Sequence, residues 1–137
     1  MRLLLPLLLV AGPTLAEGTL KPLDGNAFES MVRGRTLTYG QPDAPPRGIE
    51  TYEPGRRVTW LEVGTGECWE GSWTEGGTPE APQICFTYPE SPDPGPYCYL
   101  YSRDGTHVIS TNPDGTDPEI SYLDRDTDGI ACQWLGT

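Results

Sequence analysis

From Arg35 onward the chain changes face at every second residue, and that period limits the fold more than any other feature. Leu37 and Tyr39 alternate with Thr36 and Thr38, and Val58 and Trp60 flank Thr59. Trp69, Gly71 and Trp73 share one face, as do Ile84, Phe86 and Tyr88, with Cys85 on the opposite side. Tyr97, Tyr99 and Tyr101 then point one way, with Cys98 and Leu100 the other. A repeat of two is the signature of a half-buried β-strand. Between these segments stand turn residues: Glu53-Pro54-Gly55-Arg56 with proline and glycine at type II positions, Gly64-Thr65-Gly66, Asp104-Gly105 and Asp114-Gly115. With 17 glycines and 15 prolines in 137 residues, many short strands and tight turns are favoured over long helices. The expected fold is mainly β: a single small antiparallel meander, closed as a barrel or folded as a sandwich.

One segment has a different period. Over Leu20 to Arg33 the spacing predicts a short helix, with Asp24 as N-cap, an apolar stripe of Phe28, Met31 and Val32, and Gly34 at the C-terminal end. A helix this short needs tertiary contacts, so its stripe is expected to pack on the sheet.

The first sixteen residues read as an export signal: Arg2, an apolar run from Leu3 to Val10, and the small-residue site Thr14-Leu15-Ala16. The run is too short to span a bilayer. Cleavage after Ala16 would leave residues 17–137 as one β-rich domain in the periplasm or outside the cell. Loss of Arg2 lowers the net charge of −11 by one, to −12. So acidic a surface repels phosphate backbones and anionic lipids, which argues against nucleic acid and membrane partners. The biological partner is not legible, and the expected state is a monomer.

The four cysteines are even in number and suit an oxidising compartment, where two disulfides are expected. Three connectivities are possible. Cys85 and Cys98 flank a proline-rich loop between two alternating segments, which favours a cross-strand bridge and leaves Cys68 with Cys132. A zinc site is the rival use, but no CxxC spacing occurs and His107 is the only histidine.

The densest chemistry lies in the acidic loop at 124–132. Asp124, Asp126 and Asp128 alternate ahead of Gly129, as oxygen ligands do around calcium, and the Ile130 carbonyl adds a candidate ligand. An EF-hand needs a glutamate at loop position twelve, where Leu135 stands. Residues 120–133, through Asp124, Asp126, Asp128, Gly129, Ala131 and Cys132, instead resemble the end of an excalibur domain, a short extracellular calcium-binding module. That resemblance implies calcium as cofactor and a Cys132 paired with an upstream cysteine. Gln133 stands where the family has glutamate, and the family's N-terminal half is not recognisable. Weak affinity, about 10⁻⁴–10⁻³ M, is expected of three carboxylates without a bidentate ligand. The competing use is an aspartate-rich turn bonded to its own backbone.

Residues 24–102 also resemble a group of small exported bacterial proteins of uncharacterised function. The likeness runs through Gly34-x-Thr36-Leu37-Thr38-Tyr39, Tyr52-x-x-Gly55-Arg56, Trp60, Cys68-x-x-Gly71-x-Trp73, Ile84-Cys85-Phe86-x-Tyr88 and Cys98-Tyr99. It implies a β-rich exported domain and brings no activity with it.

No catalytic residue is assigned. A triad would have to use His107 with Ser110 or Ser102 and Asp104, but His107 and Ser110 fall on opposite faces of a strand. Trp60, Trp69, Trp73, Phe86, Tyr97, Tyr99 and Tyr101 serve either to fill the core or to line a barrel that holds a small apolar ligand or a sugar. Tyr97, Tyr99 and Tyr101 are the candidates for a partly exposed ligand surface. The expected function is a non-enzymatic binding or interaction domain with a weak structural calcium site. The alternatives are a small secreted hydrolase using a carboxylate pair, or a barrel for a small apolar ligand.

Overall fold

A computed structural model describes residues 20–41 and 43–132. The signal-peptide reading and Leu135 fall outside these. Eight strands follow one short helix: α1 Gly25–Val32, β1 Thr36–Tyr39, β2 Gly48–Glu53, β3 Arg57–Glu62, β4 Glu67–Gly77, β5 Pro82–Thr87, β6 Tyr97–Asp104, β7 His107–Thr111 and β8 Glu119–Leu123. Each strand pairs antiparallel with the next, and β8 returns to β1, so the sheet is a closed up-and-down barrel. Closure removes both sheet edges. It resolves the choice between barrel and sandwich.

The turns set the register, and the register sorts the side chains. The Pro54-Gly55 turn places Tyr52 opposite Val58 and Glu50 opposite Trp60. Glu50 also lies opposite Leu37, and Trp60 opposite Trp69. Trp73, Phe86 and Tyr97 continue the inward row across β4, β5 and β6. Tyr101, Ser110 and Glu119 complete it across β6, β7 and β8.

The two ends of the barrel differ. At one end Leu37, Tyr52, Val58, Trp73, Ile84, Tyr101, Val108 and Leu123 close around Phe28, Met31 and Val32 of α1. The helix is shorter than the predicted Leu20–Arg33 because the side chain of Asp24 accepts the N–H of Ala27 at 2.8 Å and fixes its start. The residues before it run extended, with the Leu23 N–H donating to the Tyr101 carbonyl at 2.7 Å. Gly34 follows at φ +70°, a conformation glycine adopts without cost, and turns the chain into β1. Phe28, fully buried, meets Tyr52, Trp73 and Tyr101 with ring centroids 5.5, 5.2 and 4.7 Å away. Arg56, in the β2–β3 turn, lies over the Trp73 ring at 4.5 Å and reaches Glu29 of the helix at 3.5 Å. The helix is a plug.

On the outside, the chain reverses after β8. Asp124, at φ +50°, accepts the Arg35 guanidinium at 2.6 Å and the Thr36 N–H at 3.2 Å. From there a strap runs back over the outer face of β1, β2 and β3, where Ile49, Leu61 and Cys132 form a second small apolar cluster. The Cys68–Cys132 disulfide fixes its far end, and Cys85–Cys98 bridges β5 to β6. Both pairings agree with the connectivity favoured by sequence. In the chain-entropy account, separations of 64 and 13 residues correspond to about 4 and about 3 kcal/mol. Two disulfides fit an oxidising, extracellular-type environment. Among the described residues no helix is long and apolar enough to cross a membrane.

Candidate functional site

Because α1 fills one end only, the other end is open. There the barrel holds a cavity of about 480 Å³, within the ordinary range for small-ligand sites. Its walls are aromatic: Trp60 and Trp69 on one side, Phe86, Tyr88, Tyr97 and Tyr99 on the other. Two glycines shape it. A methyl group at Gly48 would overlap the Trp60 indole, and one at Gly71 would strike the Thr87 carbonyl and the Tyr88 ring. Glycine at these inward positions lets two large rings lie flat against the barrel wall.

Glu50 lies deep in this cavity and is 2 % exposed. The Tyr88 hydroxyl donates to Oε1 at 2.7 Å, while Oε2 is buried without a hydrogen-bond partner. Burial pushes the Glu50 carboxyl up to about 8, and the Tyr88 hydrogen bond offsets only part of that rise. Burial also pushes the hydroxyls of Tyr39, Tyr52, Tyr88 and Tyr101 up. Around Glu50 the interior therefore favours the protonated carboxyl and the neutral tyrosine hydroxyls.

The mouth is charged. Arg47 pairs with Glu119 at 2.5 Å, and its guanidinium sits over the Tyr39 and Trp60 rings at 5.7 and 5.3 Å. Trp60 Nε1 donates to Glu62 at 3.1 Å, and Asn112 Nδ2 to Asp117 at 3.0 Å. Five carboxylates line the cavity (Glu50, Glu62, Asp93, Asp117 and Glu119) against the single guanidinium of Arg47. Glu50, Glu62 and Glu119 each have a different partner.

The residues expected to carry function are redistributed. Tyr97 and Tyr99 line the cavity, partly buried, but Tyr101 is 2 % exposed and packs on Phe28, so the three do not form one exposed surface. Tyr101 instead donates to or accepts from the Tyr39 hydroxyl at 2.9 Å inside the barrel. The seven aromatics divide between the two expected uses. Trp73 fills the plugged end, Trp60, Trp69, Tyr97 and Tyr99 line the cavity, and Phe86 and Tyr101 border both. His107 lies outside, its ring 4.9 Å from Tyr122 on β8, while Ser110 faces in.

The acidic loop starts the strap. Asp124 is taken by Arg35 and Thr36, and Asp126 Oδ1 accepts the Asp128 N–H at 2.9 Å. The Thr127 hydroxyl donates to the Ile130 carbonyl at 3.3 Å. Among the described residues no three Asp, Glu, His or Cys side chains stand close enough to share a metal. Asp124 would first have to release Arg35.

Sequence reading missed Arg47, Glu50, Glu62 and Tyr88. One signal for Glu50 was present. It is two residues from Tyr52, on the same face, and a Pro-Gly turn sets that face opposite Trp60. Comparison of the chain with protein-family models, with curated proteins and with solved structures finds no match to any of them.

The site makes a stability prediction. Glu50 has a raised folded-state pKa, so its full stability is present below the unfolded value of about 4.3. That stability is lost as pH rises and is gone above about 8. Across that window the cost is of order 5 kcal/mol. Glu50→Gln should match the wild type near pH 4 and exceed its unfolding free energy by several kcal/mol near pH 9, read by urea melts at both values. Equal stability of the two proteins at pH 9 would contradict the buried, unpaired carboxyl.

Proposed function

We propose that this protein is an exported binding domain that takes one small, partly apolar ligand into the open end of its barrel. The observation that carries the reading is the cavity itself. It is deep, walled by Trp60, Trp69, Tyr97 and Tyr99, and ends on a buried carboxyl with one oxygen lacking a partner. A buried polar atom of that kind costs free energy unless something pairs with it. Retaining it at the deep end of an aromatic-walled cavity is expected where a ligand supplies the partner. The disulfides support export to an oxidising compartment, and the signal at 1–16 implies the periplasm or the exterior.

Titration with N-phenyl-1-naphthylamine, a neutral aromatic probe, tests the cavity. One probe per chain should bind and quench Trp60 and Trp69. Trp60→Ala and Tyr99→Ala should each weaken binding roughly tenfold through loss of an aromatic wall. Absence of saturable binding, or unchanged affinity in both variants, would contradict the reading.

We also propose, separately, that the 124–132 loop takes calcium weakly, with Asp126, Asp128 and the Ile130 carbonyl supplying oxygens and Asp124 exchanging Arg35 for the ion. The alternation of aspartates and the excalibur-like spacing support this. Competition with Arg35 weakens it. At about 1 mM affinity, 10 mM calcium should stabilise by roughly 1.4 kcal/mol over chelator, a rise of several degrees in Tm. No rise, or an equal rise in Asp126→Asn, would remove calcium from the account.

A further inference from the structure

We infer that the ligand of the cavity is an organic cation, a protonated amine on an aromatic or apolar body, with the Glu50 carboxylate as its counter-charge. This rests on the binding reading above and adds the chemistry of the ligand.

Three independent observations point to a cation. The first is the balance of acid and base: besides Glu50, four carboxyl groups (Glu62, Asp93, Asp117 and Glu119) and one guanidinium line the cavity. Arg47 is already paired to Glu119 at the rim, so among the described residues lining the cavity no unpaired cation is left for an anionic ligand. The second is the wall. Tyr and Trp rings present negative π-faces, which attract a cation held within about 6 Å. The mouth displays the same preference internally, since the Arg47 guanidinium sits over the Tyr39 and Trp60 rings. The third is the deep end of the cavity. Glu50 Oε2 is buried and unpartnered, while Tyr88 holds Oε1. An ammonium group would give Oε2 a charge-assisted hydrogen bond, and the apolar body would cover Trp60 and Tyr99.

Binding then moves one proton. In the free protein Glu50 holds its proton up to about pH 8. An incoming R–NH₃⁺ favours the carboxylate, and the Glu50 proton leaves to solvent, so an ion pair replaces a neutral acid. The titratable groups facing Glu50 are Tyr39 from β1, Tyr52 from its own strand, Tyr88 beside the end of β5 and Tyr101 from β6, all with raised values. Glu62, Arg47 and Glu119 line the same cavity nearer the mouth, the last two already paired to each other. Glu50 is thus the group whose titration governs binding between pH 6 and 8.

Three probes of one shape separate the possibilities: tryptamine, its alcohol tryptophol, and indole-3-propionate, titrated by calorimetry from pH 6 to 9. Tryptamine should gain about tenfold in affinity per pH unit up to about 8, then level off below the amine's own pKa of about 10. Near pH 8.5 it should exceed tryptophol at least about tenfold. Glu50→Gln should abolish both the slope and the preference. Tyr88→Phe, which removes the hydrogen bond favouring the carboxylate, should move the midpoint upward and serves if Glu50→Gln does not fold. Equal affinity for amine and alcohol, or tighter binding of the propionate, would overturn the cation inference and leave the binding cavity standing. Failure of all three probes and of N-phenyl-1-naphthylamine would overturn both.

Discussion

The structure depends on the Phe28 ring entering one end of the barrel. Eight strands enclose an interior wide enough for side chains to fill or for one small ligand. Here both happen, at opposite ends, and α1 decides which end is which. Phe28 packs edge-on to Tyr52 and Trp73 and tilted against Tyr101, so the helix completes an aromatic core on one side only. Asp24 at the start of the helix and Gly34 after its end make the plug short and fix its entry. The strap leaving β8 stays outside and is held by Arg35, the Cys68–Cys132 bridge and the carbonyls of Gln41 and Ala44, which accept Arg125.

The plug also sets the electrostatics. Above the Phe28 cluster lies a carboxyl with a tyrosine hydroxyl on one oxygen and nothing on the other. In an open tube Glu50 would be hydrated and ordinary. Above a sealed floor its charged form loses solvation, and its pKa rises toward 8. Stability is given up to keep that group where it is, which is a pattern expected of functional sites.

Much of the fold was legible because two rules act locally. Period-two alternation marked the strands, and Pro-Gly or Asp-Gly turns joined them in order. The helix stripe of Phe28, Met31 and Val32 was legible for the same reason, since all three face the core. Closure was not legible, because the pairing of β8 with β1 joins the two ends of the sheet, and no local pattern records it. The site was less legible than the fold. Tyr97, Tyr99 and Tyr101 share one face in sequence, yet they sit at successive depths of one barrel, from mouth to core. Glu50 resembled any strand glutamate until its depth was known. The acidic loop drew attention through its composition, whereas its visible work is to turn the chain: Asp124 adopts a left-handed conformation and binds Arg35.

The most direct test is a carbon-detected NMR titration of the Glu50 carboxyl in the ligand-free protein, assigned by comparison with Glu50→Gln. A midpoint near 8 is the result expected for a carboxyl sealed above the helix plug. A midpoint near 4, the value of a solvated glutamate, would mean that water reaches Glu50 freely, and it would contradict the closed floor on which this account of the cavity depends.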